Sequence, residues 1–327
     1  MTTTPQATMT AEQASAFQET FARLVANVEQ VLLGKTFVVR LGFVALLSEG
    51  HLLLEDFPGT GKTSLARAIA QTVAGTSNRI QFTPDLLPGD ITGITVYDQK
   101  TGVFEFHAGP VFANIVLADE INRASPKTQA ALLEVMEEGR VTIDGVTRPV
   151  GVPFLVLATQ NPVEQAGTYR LPEAQLDRFM MKTSLGYPDH AATVRILDGA
   201  AVPTSKLDPV ITPQALVGMA DLAREVYANA LVLDYIARIV DATRTAEQVR
   251  LGVSIRGALA LTRATRTRAI SQGRTYATPD DVKALAGPVL SHRLIVHPEA
   301  EFDGVTAEAV IGQILLDVPP PTQREGA

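Results

Sequence analysis

The chain has 327 residues, 46% of them hydrophobic and 19% charged, with a formal net charge of −7. This describes a globular protein of about two domains at roughly 150 residues each, and it argues against a general affinity for nucleic acid. There are no cysteines, so disulfides, thiolate zinc sites and cysteine nucleophiles are excluded.

Residues 1–10 are polar and expected to be a disordered tail. The N-terminal stretch has no Lys or Arg before Arg23 and no apolar core, so it does not read as a secretory signal. Apolar spacing predicts helices over Ala11 to Gln30 and Thr36 to Leu47. The longest apolar stretch, Leu41 to Leu54, is interrupted by Ser48, Glu49, Gly50 and His51 and cannot span a bilayer. These features predict a cytoplasmic protein with no membrane insertion.

His51 to Leu54 reads as a buried strand that runs into a turn carrying Pro58, Gly59, Thr60 and Gly61, followed by a helix opening at Lys62, Thr63 and Ser64. Strand, glycine-rich turn and helix in that order form a phosphate cradle, because small residues let consecutive backbone N–H groups face an anion at the positive end of a helix. Lys62 supplies a point charge to the phosphates and Thr63 a hydroxyl for Mg²⁺. The pattern G-x-x-x-x-G-K-[ST] is broken once, since Asp56 stands where its first glycine would be. That glycine only opens the turn, so the cradle from Pro58 to Thr63 is expected to function without it.

Arg79 to Thr83 is a short strand candidate. Pro84 to Asp90 is too rich in breakers to predict regular structure. Ile94 to Tyr97 and Val103 to Phe106 predict a hairpin, as do Val141 to Ile143 and Thr147 to Val150 around Asp144-Gly145. The apolar run Ile115 to Ala118 lacks alternation, as a strand covered on both faces does, and it delivers Asp119 and Glu120 at its end. A helix from Pro126 to Glu138 follows. Phe154 to Ala158 is a further buried strand, ending toward Asn161, and a short helix from Glu173 to Arg178 precedes a strand from Met180 to Ser184. This alternation predicts an α/β fold with a mostly parallel sheet.

Beyond Tyr187-Pro188 the pattern turns helical, with candidates at Ala191 to Asp198, Pro213 to Ala228, Asp234 to Gln248, Ser254 to Gln272, Pro279 to His292 and Ala307 to Leu316. Thr212 and Thr278 are N-cap candidates. Pro203 to Pro209 is the expected flexible link. The domains are therefore read as 11–187 for nucleotide binding, 188–209 as a linking segment with one helix, 210–318 as a helical second domain, and 319–327 as a disordered tail.

Phosphoryl transfer to water needs a metal clamp, an oriented nucleophile and positive charge where negative charge gathers. Asp119 is suited to hold Mg²⁺ through water, Glu120 to polarise the attacking water, and Asn161 to orient it. The five histidines show no metal-ligand grouping.

The loop, together with Leu117-Ala118-Asp119-Glu120-Ile121-Asn122-Arg123-Ala124, Ala158-Thr159-Gln160-Asn161-Pro162 and Leu171 to Phe179, resembles the MoxR family of AAA+ ATPases. The resemblance implies an αβα P-loop NTPase fold with parallel sheet order 5-1-4-3-2, two inserted β-hairpins and a C-terminal helical lid. It further implies a homo-oligomeric ring, usually hexameric, ATP and Mg²⁺ as ligands, and a protein with a von Willebrand factor A domain as partner. The client is not identified by these residues. By the same resemblance Lys62 and Thr63 belong to Walker A, Asp119 and Glu120 to Walker B and Asn161 to sensor 1. Arg178 matches the arginine finger that reaches a neighbouring subunit's ATP, and Arg256 occupies the sensor 2 position.

Two other functions share parts of this pattern. A nucleic-acid motor of the MCM type also has inserted hairpins, and Arg256, Arg263, Arg266 and Arg268 form an acid-free run. Neither hairpin carries a basic cluster, however: Lys100 stands in the first, Arg140 and Arg148 in the second. A nucleotide-dependent scaffold with little turnover is opposed by the intact Glu120 and Arg178.

Overall fold

The protein is described here by a computed structural model covering residues 9–56, 59–161 and 168–321. Pro58 of the expected cradle, Pro162, and residues 1–8 and 322–327 of the expected tails lie outside the described residues.

Five strands form the central sheet: β1 (Leu52–Glu55), β2 (Ser77–Gln81), β3 (Ile115–Asp119), β4 (Leu155–Gln160) and β5 (Met181–Thr183). Their order is 2-3-4-1-5, which is the expected 5-1-4-3-2 read from the opposite edge. The pairs β2–β3, β3–β4 and β4–β1 are parallel.

The central strands lack alternation because helices and loops cover both faces. Leu52, Leu53, Leu54, Ile115, Val116, Leu155, Val156 and Leu157 are all fully buried. On one face Leu53, Val116, Ala118 and Val156 join Leu132, Leu133 and Met136 of helix Pro126–Glu138 in a single core. That helix begins where Ser125 accepts a hydrogen bond from Thr128 N–H, and it ends at Gly139 in the left-handed region. His51 lies buried beneath it. Its Nδ1 accepts from Val156 N–H at 3.1 Å, so Nε2 carries the proton and faces Met136 O at 2.9 Å. This is a structural role.

Strand β2 starts and stops two residues earlier than expected, because its register against β3 runs from Ser77 opposite Ile115 to Gln81 opposite Asp119. The breaker-rich stretch holds a short helix after all, Pro88–Thr92, since Asp90 turns back to accept from Leu87 N–H at 2.8 Å and Pro88 fits the first helical turn. Both hairpins form as antiparallel pairs, Gly93–Asp98 with Val103–Ala108 and Arg140–Ile143 with Val146–Pro149. At the first turn the Asp98 carboxylate accepts from Lys100 N–H and the Thr101 hydroxyl, which holds its pKa below the usual carboxylate value. Arg148 of the second hairpin stacks on Phe106 of the first, 4.0 Å from the ring centre.

The chain divides into two compact units. The larger comprises Arg23–Phe179 and Thr183–Val217. The smaller comprises Met180–Lys182, the chain from Gly218 onward and the described residues up to Ala22. Order begins earlier than the expected tail boundary: Met9 is buried, and Thr10 and Gln13 cap each other reciprocally at the start of helix Ala11–Glu29. Pro319, expected in the C-terminal tail, is held through its carbonyl by Arg238 at 3.0 Å.

The smaller unit packs helices Ala230–Thr245, Ile255–Ile270, Pro279–Leu290 and Ala307–Asp317 around Tyr235, Ile239, Leu261, Leu285 and Ile311. Thr278 caps its helix as expected, in a reciprocal box with Asp281. The helical reading of this half missed the antiparallel pair Val249–Leu251 and Ile295–Val296, along with a short helix, Pro298–Phe302. Strands of two and three residues are too short for alternation to show.

Candidate active site

In parallel strands all carboxyl ends point the same way, so the loops that follow β1, β3 and β4 gather at one edge of the sheet. The register fixes how closely. Leu54 of β1 is level with Thr159 of β4, and Ala118 of β3 is level with Ala158. Asp119 and Leu54 therefore flank Thr159 in one row, about 10 Å apart across two strand spacings. Glu120 and Asn161 follow directly, and the cradle leaves β1 beside them.

The cradle is built on glycine conformation. Gly59 has φ +84° and Gly61 φ +96°, values at which a Cβ is strained. A Cβ on Gly61 would also lie 3.0 Å from Leu32 Cδ2. Gly61 caps helix Lys62–Thr72, whose first turn holds Lys62, Thr63 and Ser64. Thr60 is buried, and Lys62 Nζ donates to Asp56 O at 3.3 Å.

Asp56, read from sequence only as a missing glycine, has a definite task. It is buried, and its carboxylate accepts from Leu185 N–H at 2.5 Å and from Gly186 N–H at 2.9 Å. The same segment is gripped through its carbonyls by Lys35, whose Nζ donates to Leu185 O at 2.6 Å and Tyr187 O at 2.7 Å. The start of the cradle is thereby tied to the chain that follows β5.

Opposite the cradle, Asp119 is buried and both of its oxygens are engaged. Thr159 Oγ1 donates to Oδ1 at 2.6 Å, and Arg79 of β2 donates to Oδ2 through Nη2 at 2.6 Å and Nε at 3.2 Å. Glu120 sits in the left-handed region with φ 57° and ψ 48°, a backbone state that non-glycine residues seldom adopt and that concentrates at working sites. Its N–H donates to Thr159 Oγ1 at 2.9 Å, which holds that geometry. Its carboxylate is half-exposed and accepts from Gln81 at 3.0 Å and Arg123 at 2.9 Å. Thr159, Arg79 and Gln81 were missed as site residues by the sequence reading. Their signal lies only in the register, which sets β2 and β4 on either side of β3.

Arg178 stands just past helix Glu173–Leu176, two residues shorter than expected, and pairs with Glu137 at 3.0 Å. Both side chains are partly exposed. Arg256 is exposed in the first turn of helix Ile255–Ile270, which belongs to the smaller unit.

Thr63 and Asp119 offer a hydroxyl and a carboxylate, hard oxygens of the kind Mg²⁺ accepts when phosphates and water complete its shell. Among the described residues no group of three or more His, Cys, Asp or Glu gathers as a metal site. The two donors fit a metal that arrives with its nucleotide.

Residues 51–181 match the family described as ATPase family associated with various cellular activities (AAA), and residues 241–314 match the AAA lid domain. The chain is 48% identical to the uncharacterized protein YeaC of Bacillus subtilis over 92% of its own length and 95% of that protein. It is 41% identical to Chaperone MoxR1 of Mycobacterium tuberculosis over 94% of this chain and 84% of that one. A crystal structure from Cytophaga hutchinsonii superposes with a TM-score of 0.87 at 37% identity, covering 95% of this chain and 98% of its own. With the cradle, the paired carboxylates and the 5-1-4-3-2 sheet in place, these likenesses establish that the chain belongs to the MoxR family of AAA+ ATPases.

Proposed function

We propose that the protein binds Mg-ATP at the carboxyl edge of its sheet and hydrolyses it to ADP and phosphate in a ring assembly that remodels or matures client proteins. The observation that supports the ATPase reading is the row of Leu54, Thr159 and Asp119, in which the last apolar residue of β1 before the cradle and the first residue of the carboxylate pair lie about 10 Å apart across two strand spacings.

In this reading the backbone N–H groups of Gly59, Thr60 and Gly61 and the ammonium of Lys62 hold the phosphates. Thr63 and Asp119 would hold Mg²⁺, which when bound neutralises charge on the phosphate oxygens. Ser64 lies on the same first turn. Glu120 accepts a hydrogen bond from the attacking water and raises its nucleophilicity, and Asn161 orients it. Arg178 leaves Glu137 to meet the neighbouring subunit's ATP, where an arginine is worth about 10³ to 10⁵ in rate. Arg256 keeps the sensor 2 assignment that the family implies. The work on clients, by metal insertion or complex assembly, together with a six-membered ring, a von Willebrand factor A domain partner and a cytoplasmic setting, rests on the family. The mycobacterial relative is named a chaperone, which supports this reading.

Glu120→Gln is expected to keep ATP bound while turnover stops, and Lys62→Ala to lose nucleotide affinity itself. Both are measured by phosphate release beside binding of a fluorescent ATP analogue. Parent-rate hydrolysis by Glu120→Gln would remove that carboxylate from the chemistry.

A further inference from the structure

Arg79 is the strongest polar feature near the site to which the reaction scheme gives no part. It projects from edge strand β2 with its side chain 48% exposed, while the carboxylate it grips, Asp119, is 11% exposed. A shielded carboxylate is costly without a counter-charge, and Arg79 provides one. Both of its contacts, from Nη2 and Nε, fall on Oδ2. The other oxygen, Oδ1, is occupied by Thr159.

The same Nη2 also reaches Gln81 Oε1 at 2.5 Å, and Gln81 Nε2 donates to Glu120 Oε2 at 3.0 Å. Arg79 and Gln81 are two apart on one strand and so share a face. A continuous run of hydrogen bonds therefore passes from one carboxylate of the pair to the other through β2.

We propose that Arg79 is a positioning residue that serves as the resident cation of Asp119 before metal arrives, and so sets how much Mg²⁺ the nucleotide site requires. The inference rests on the reading of Asp119 as a metal-holding carboxylate. Asp119 turns Oδ2 toward a hydrated cation only as Arg79 gives that oxygen up, because two cations cannot share one lone-pair direction without repulsion. Release of Arg79 also frees the Oε1 end of Gln81, which is how the state of Asp119 is felt at Glu120.

The test titrates Mg²⁺ against binding of a fluorescent non-hydrolysable ATP analogue to the full-length chain. Arg79→Ala removes the competitor and is expected to lower the half-saturating Mg²⁺ by about five- to tenfold, the scale of one charge-assisted contact. Arg79→Lys keeps the charge and is expected to stay near the parent. Thermal melting gives a readout independent of nucleotide: without metal Arg79→Ala melts below the parent, and Mg²⁺ with the analogue narrows the gap.

An unchanged or higher Mg²⁺ requirement in Arg79→Ala would overturn the proposal, as that is what loss of a merely structural contact produces. So would a lysine variant that behaves like the alanine one. Failure of the underlying site reading looks different: binding to the parent would then ignore Mg²⁺, or Asp119→Asn would leave its Mg²⁺ dependence intact.

Discussion

The Thr159 hydroxyl donates to Asp119 Oδ1 at 2.6 Å and accepts from the N–H of Glu120 at 2.9 Å. One buried side chain on β4 thus fixes both carboxyl residues at the end of β3. Thr159→Val keeps the shape and removes both hydrogen bonds. Turnover is expected to fall about ten- to a hundredfold, the cost of a small misplacement, with nucleotide affinity within about threefold of the parent. Thr159→Ser restores most of the rate. Phosphate release and analogue binding on the three proteins decide it, and a valine variant at full speed would contradict this role.

Asp56 departs from the usual loop pattern, yet it ties the cradle to Leu185 and Gly186. Asp56→Ala leaves two backbone N–H groups without their acceptor and is expected to cost about 3 kcal/mol. Asp56→Asn offers a single acceptor oxygen and recovers part of that. Chemical denaturation of the nucleotide-free chain measures the difference. A variant as stable as the parent would show the clamp to be incidental.

Arg178, the proposed finger, pairs with Glu137 at 3.0 Å, and its proposed action across a subunit boundary is open to a mixing test. Arg178→Ala and Glu120→Gln proteins are each expected to be inactive alone and to recover part of the turnover when mixed, because some interfaces then combine an intact finger with an intact water-activating carboxylate. Mixed rings verified by mass spectrometry that remain inactive would rule out action across a boundary.

In the smaller unit Asp281 is almost fully buried and accepts from Thr278 N–H at 2.9 Å and from Arg274 at 2.6 and 2.7 Å. The bond to this carboxylate holds the Arg274 pKa above its ordinary value. Asp281→Ala removes the acceptor of the Thr278 N–H in the capping box and strands a partly buried guanidinium. A loss of about 3 kcal/mol is expected, read as an earlier melting transition.

The sequence alone determined the elements whose physics is local. Consecutive apolar residues at Leu52 to Leu54 and Ile115 to Ala118, bounded by breakers, read as strands covered on both sides. Gly59 and Gly61 mark the turn, and Pro126 starts a helix at the position where the structure begins it. The motif residues made the family legible, and with it the sheet order. The partners of Asp119 and Glu120 were decided only by the tertiary structure, since Arg79 and Thr159 each lie about forty residues from Asp119 and are brought beside it by strand pairing. Asp56 looked like a defect for the same reason: its acceptor role depends on Leu185 and Gly186, 129 and 130 residues away. A pattern of residue types records what each position can do, while the register across a sheet settles which of those capacities meet.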